Sequence, residues 1–140
     1  MLTFVRTINI YLMTQFTLLF ASILGGLAVV FGAFGAHALK KILSDEQLKS
    51  FETGVKYQMY HAIVLLIIGF NFNLETASEK YMVYSFMAGV LLFSFSIYGL
   101  VISSAKNKKL TFLGPVTPLG GLFLIIGWGL LFYSILNLPK

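Results

Sequence analysis

Tyr57, Gln58 and His61 fall at intervals of three and four residues, so a helix carrying them turns all three toward one side. His61 would lie about 6 Å along that helix from Tyr57, at 1.5 Å per residue. His37 ends an apolar run that should terminate at the same membrane face, and Glu52 and Asp45 precede the group in the sequence. Two imidazoles in that setting suit proton exchange. With Glu52 or Asp45 they would suit a metal ion, and with Lys40 or Lys56 a lipid headgroup. None of these has a specific spacing, and the quieter alternative, a neutral histidine bonded to a tyrosine, a glutamine or a helix-end carbonyl, is favoured over them. The histidines sit in different segments, with no HxxxH or HExxH pattern, so no metal or other cofactor is expected.

Catalytic arrangements are not apparent. All five acidic residues lie in loops, no serine sits in an elbow motif, no glycine-rich phosphate loop follows a strand, and there is no cysteine. An enzyme is therefore not expected. The expected role is a membrane component that associates with lipid, with copies of itself or with another membrane protein. The alternative is a small transporter or channel for protons or a metal, working through His37 and His61. Coupled ion transporters place carboxylates or broken helices near the membrane middle, and neither is visible.

The elements that must hold these residues are hydrophobic helices. Apolar residues make up 58% of the 140 and charged residues 11%, too unbalanced for a water-soluble domain. A bilayer core about 30 Å thick needs roughly 20 apolar residues per helix. Four such stretches, near residues 16–36, 57–74, 81–104 and 118–136, account for one membrane domain over 1–140. The fold expected is an all-α, polytopic four-transmembrane-helix bundle.

The stretch from Leu2 to Met13, mildly apolar with one arginine, precedes the first span; the uncharged stretch from Thr7 to Leu39 as one helix would be about 50 Å long at 1.5 Å per residue, so it must tilt, bend or lie along the interface. Arg6, the apolar run and Ala36-His37-Ala38 mimic a secretory signal, but the run is far longer than the roughly 7 to 15 residues of a signal core. Ser44 and Gln47 have capping-box spacing. They open a short amphipathic helix in the first loop, whose edge of Leu48, Phe51 and Val55 suits the membrane surface. Thr117 as N-cap and Pro118 as first helical residue begin the last span.

Association inside lipid depends on close approach at small residues. Ala21, Gly25, Ala28, Gly32 and Gly35 form one stripe on the first span, and Ala28, Gly32 and Ala36 add a second ladder. Ser85, Gly89, Ser96, Gly99 and Ser103 form another on the third span, interrupted at Leu92. Gly120 and Gly127 mark the fourth. Packing within one chain is the expected use, with oligomer contact as the rival. Trp128 reads as a lipid-facing anchor.

The first and third loops carry Lys40, Lys41, Lys49, Lys56, Lys106, Lys108 and Lys109, against Arg6, Lys80 and Lys140 on the other side. The positive-inside rule then places those loops in the cytoplasm and both termini outside. The net charge of +5 thus reports orientation, and no nucleic-acid partner is expected.

Three stretches combine into a recognisable pattern: Gly32-Ala33-Phe34-Gly35-Ala36-His37-Ala38-Leu39, Phe51 through Ala62 with Lys56-Tyr57-Gln58-Met59-Tyr60-His61 at its centre, and Gly114-Pro115-Val116-Thr117-Pro118-Leu119-Gly120-Gly121. Together they resemble the uncharacterised membrane protein family 0382, also called domain of unknown function 423, whose animal relatives are grouped under transmembrane protein 256. The resemblance covers about Phe16 to Leu136. It implies a small four-span protein of the bacterial plasma membrane, with no activity, substrate or cofactor attached. His37, Tyr57, His61, Pro118 and Gly120 match recurrent positions. Met1 to Leu12 precede the usual start, which makes Met13 an alternative initiator.

Overall fold

The computed structural model describes residues 1–108 and 110–137, without the side chain of Leu2. Lys109 and Lys140, both used above to argue orientation, lie outside the described residues. Four long helices follow one another: α1 (Leu2–His37), α2 (Asp45–Asn71), α3 (Ala77–Ala105) and α4 (Val116–Leu136). Short 3-10 turns at Leu39–Lys41 and Thr111–Leu113 lie in the first and third loops. Among the described residues there is no strand.

α1 is unbroken from Leu2 to His37, so the piece before Met13 and the first span form one helix. Nothing between Met13 and Phe16 breaks a helix, and the Thr17 hydroxyl donates back to the Met13 carbonyl at 2.8 Å. Its 36 residues rise about 54 Å at 1.5 Å each, well beyond a hydrocarbon core of about 30 Å.

α2 starts on the expected capping box: Gln47 N–H donates to Ser44 Oγ, and Ser44 N–H to Gln47 Oε1. The short amphipathic helix does not stand apart, however. It is the first half of α2, because no breaker separates it from Tyr57 and its apolar edge has somewhere to go. Phe51 is buried, and Leu48 and Val55 pack beside it against the bundle rather than on a membrane surface.

α3 begins at Ala77 rather than near Tyr81. Thr76 and Glu79 make a second capping box there, with the Glu79 carboxylate accepting from the N–H groups of Glu75 and Thr76. Leu74, fully buried, turns the chain with φ of 54°. α4 begins at Val116 with Pro115 as its cap, so Thr117 is not the N-cap. Pro118 still lies in the first turn, where a missing N–H removes no helical hydrogen bond. The Thr117 hydroxyl is engaged elsewhere, 2.7 Å from Ser96 Oγ.

The bundle consists of two antiparallel hairpins joined through α2 and α3. In the first, Gly25 faces Ala62, Gly32 faces Val55 and Gly35 faces Phe51, so the small-residue stripe of α1 lies on α2. In the second, Phe86, Gly89, Phe93 and Ser96 meet Gly127, Leu124, Gly120 and Thr117 in turn. At Gly120 the backbones nearly touch: an added Cβ would collide with the Phe93 amide nitrogen and sit 2.8 Å from the Leu92 carbonyl carbon. α3 is π-helical over this stretch, Leu91–Phe95. A π-turn adds one residue to the helix, and it lies where the stripe read from sequence is interrupted at Leu92.

Two apolar clusters fill the interior. The larger gathers Leu24, Leu65, Ile68, Met82, Val83, Phe86 and Val90 among others; the smaller holds Leu39, Leu43, Phe51, Tyr98 and Val101. Outward faces of α1 and α4 stay apolar, with Phe16, Ile23, Val29, Ile125, Trp128 and Phe132 all exposed. α1 and α3, and Thr111–Leu136 including α4, are each long and apolar enough to cross a membrane. α2, whose first half carries Asp45, Glu46, Lys49, Glu52 and Lys56, is not among them.

Candidate functional site

The five residues singled out from sequence do not form one site. His37 is exposed at the last turn of α1, and Glu52 is exposed on α2. Among the described residues neither makes a side-chain hydrogen bond or ion pair with His61. Nor do three or more His, Asp or Glu side chains converge where a metal could be held. Tyr57, Gln58 and His61 share α2, but Gln58 turns to one pair of helices and His61 to another.

Gln58 is completely buried. Its Nε2 donates to the Leu24 carbonyl of α1 at 2.8 Å, and its Oε1 accepts from the Tyr98 hydroxyl of α3 at 2.8 Å. One amide thus ties three helices. Along α2 it falls between the two apolar clusters, one turn from Gly54, whose carbonyl accepts from Ser94 Oγ at 2.8 Å. Ser94 belongs to the π-helical turn, and Gly54 is what admits the Tyr98 ring: a Cβ there would lie 2.7 Å from it. Phe31 and Phe51 close on the same ring at centroid distances of 5.1 and 4.8 Å. Apolar surroundings strengthen such bonds and make their loss costly.

His61 is nearly buried on the side facing α4. Its Nδ1 lies 2.8 Å from the Tyr57 carbonyl, which can only accept, so Nδ1 carries the proton. Trp128 Nε1–H, which can only donate, approaches Nε2 at 3.4 Å, a long hydrogen bond. Both contacts are satisfied by one species, the neutral Nδ1–H tautomer. A proton on Nε2 would face the indole N–H donor to donor. The Phe86 ring packs edge-on to Trp128 and 5.6 Å from His61, and Phe93 covers Tyr57 at 4.7 Å.

A further polar contact joins Ser96 of α3 to Thr117 of α4. The packing residues fall where these bonds need close approach. Gly25, Ala28, Gly32 and Gly35 lie along α2; Gly89, Gly99, Gly120 and Gly127 lie between α3 and the segment containing α4, and Ser85 is buried on α3. Sequence reasoning passed over Ser94, Tyr98 and the partner role of Trp128. Carbonyl acceptors such as Leu24 and Gly54 leave no trace in a sequence, and a tyrosine or tryptophan in an apolar run looks like lipid-facing filler.

Comparison with known proteins places this arrangement among relatives. The family model described as protein of unknown function (DUF423) matches residues 31–121, which contain Gln58, His61, Ser94, Tyr98 and Gly120. A UPF0382 membrane protein of Staphylococcus aureus is 42% identical over 102 residues, covering 73% of this chain and 80% of the relative. YwdK of Bacillus subtilis, also a UPF0382 membrane protein, is 38% identical over 104 residues, 73% of this chain and 80% of its own. The UPF0382 inner membrane protein YgdD of Escherichia coli is 32% identical over 128 residues, 91% of this chain and 94% of its own. No solved structure matches.

Proposed function

The chain belongs to the family described as protein of unknown function (DUF423), the UPF0382 membrane proteins, and from that premise we propose a non-enzymatic, four-span component of the bacterial cell membrane that works by association with lipid or with other membrane proteins. One observation carries this reading. Five buried polar side chains, Gln58, His61, Ser94, Ser96 and Tyr98, are bonded to neighbouring helices or to backbone carbonyls, while among the described residues Ser134 Oγ is buried without a partner. Groups consumed in this way hold helices together. A conduit would need them turned to water.

Four spans and orientation belong to the same proposal. α2 packs antiparallel to α1 from Phe51–Gly35 to Gly69–Leu18, so the two helices share one depth of bilayer. The described cations at the end of the bundle that carries the first and third loops, Lys40, Lys41, Lys106 and Lys108 with Lys49 and Lys56 in the first half of α2, outnumber Arg6 and Lys80 opposite, which favours those loops in the cytoplasm and the termini outside. A reporter fused after Lys140 should therefore be active outside; cytoplasmic activity would reverse the orientation.

The function itself is tested in liposomes that trap a pH-sensitive dye. Purified protein under an imposed proton gradient should leave the decay no faster than in protein-free vesicles. Proton flux that disappears in His61→Ala would overturn the proposal in favour of transport.

A further inference from the structure

Two cavities at the second-loop end of the bundle share Asn9 of α1 and Lys80 of α3. The first, about 280 Å³, is bounded also by Arg6 and Glu75. The second, about 350 Å³, continues as an open groove over Met13, Phe16 and Tyr84, whose hydroxyl donates to Met13 Sδ at 3.6 Å. Asn9, Met13 and Phe16 step by four and three along one edge of α1, and Lys80 and Tyr84 by four along α3. The seam therefore runs from charged to apolar along the helices. A bilayer changes in the same sense from headgroups to acyl chains.

The charged end is incompletely paired. Arg6 and Glu75 form an ion pair and cancel each other. Lys80 is half-buried, and among the described residues no carboxylate lies in ion-pair range of it; the Asn9 amide likewise makes no hydrogen bond there. The neighbouring Glu79 carboxylate is committed to the N–H groups of Glu75 and Thr76, so among the described residues lining the seam one net positive charge and one open amide donor remain, at the mouth of an apolar groove. That combination complements a phosphodiester, a single negative charge with two exposed oxygens.

We propose that this seam binds one glycerophospholipid, its phosphate held by Lys80 Nζ and Asn9 Nδ2 and one acyl chain laid along Met13, Phe16 and Tyr84. The apolar continuation is what selects a lipid over free phosphate. The inference rests on the lipid-associated reading above and names its place and its headgroup chemistry.

The test is native mass spectrometry of the full chain released from mild detergent after incubation with phosphatidylglycerol. Wild type should retain one lipid. Lys80→Gln should lower the retained fraction about tenfold, as expected for loss of a charge-assisted hydrogen bond, and Asn9→Leu should lower it less. Lys80→Arg should keep it, and Lys49→Gln, at the opposite end, should leave it unchanged. Circular dichroism on each variant checks that the helices persist, and Asn9→Leu, on an exposed edge, serves if Lys80→Gln does not fold. Undiminished retention in folded Lys80→Gln or Asn9→Leu would overturn the proposal. So would displacement of the lipid by equimolar glycerol phosphate. Proton flux in liposomes would remove the non-transport reading and leave this site standing, whereas lipid retention indifferent to Lys80 removes only the site.

Discussion

The Tyr98 hydroxyl of α3 donates to Gln58 Oε1 of α2 at 2.8 Å, with both side chains buried where the smaller apolar cluster meets the larger. Removing the hydroxyl in Tyr98→Phe leaves the amide oxygen without its donor in a region water does not reach. The expected cost is about 1–3 kcal/mol, read as a lower unfolding midpoint in detergent. Tyr98→Phe combined with Gln58→Leu should recover part of that loss, because an apolar pair strands no polar group. A double variant less stable than the sum of the two singles would contradict the pairing.

Glycine positions separate by what lies beyond them. A Cβ at Gly120 meets the backbone of the π-helical turn, 2.8 Å from the Leu92 carbonyl carbon, whereas one at Gly129 meets nothing within 4 Å. Gly120→Ala should therefore destabilise by about 1–3 kcal/mol through overpacking. Gly129→Ala should be neutral or stabilising by a few tenths of a kcal/mol through better helix propensity. Thermal aggregation of the two proteins side by side checks the order, and equal midpoints would count against the close α3–α4 approach. Gly32→Ala, whose Cβ falls 3.5 Å from Val55, should be tolerated, while Gly32→Leu should not.

Much of this was legible in the residues. The α1 stripe could be read because small side chains recur with the helical period and nothing else in a membrane span explains that. The Ser44 and Gln47 box was equally visible. The matching box at Thr76 and Glu79 was present in the same form but hidden in a loop read only for charge. His37 and His61 were expected to approach because both lie near one membrane face; in the folded chain His37 stays exposed and His61 turns toward α4. Depth in a bilayer can be had by counting residues, but rotation about the helix axis is set by packing against neighbours. The π-turn lies against the backbone at Gly120, and no local pattern in Leu91–Phe95 announces it.

The tautomer of His61 is a third expected outcome. With Nδ1 donating to the Tyr57 carbonyl and Nε2 accepting from Trp128, nitrogen-15 spectra of histidine-labelled protein in lipid at neutral pH should show a protonated Nδ1 and a bare Nε2. His37, exposed, supplies a reference signal in the same sample. A protonated Nε2 would mean the indole contact is absent. Trp128→Phe should remove that contact and leave the Nδ1 bond intact.

The central claim is that the polar groups of the interior are dry ties between helices. The chain has no cysteine, so a single one placed at a buried polar position can be probed without background. Ser94 is completely buried, and Ser94→Cys is close to isosteric. In intact membranes this thiol should resist small water-soluble thiol reagents from either side, while a cysteine at exposed Glu52 reacts. Rapid modification at position 94 from either face would mean that water reaches the centre of the bundle, and would contradict the account.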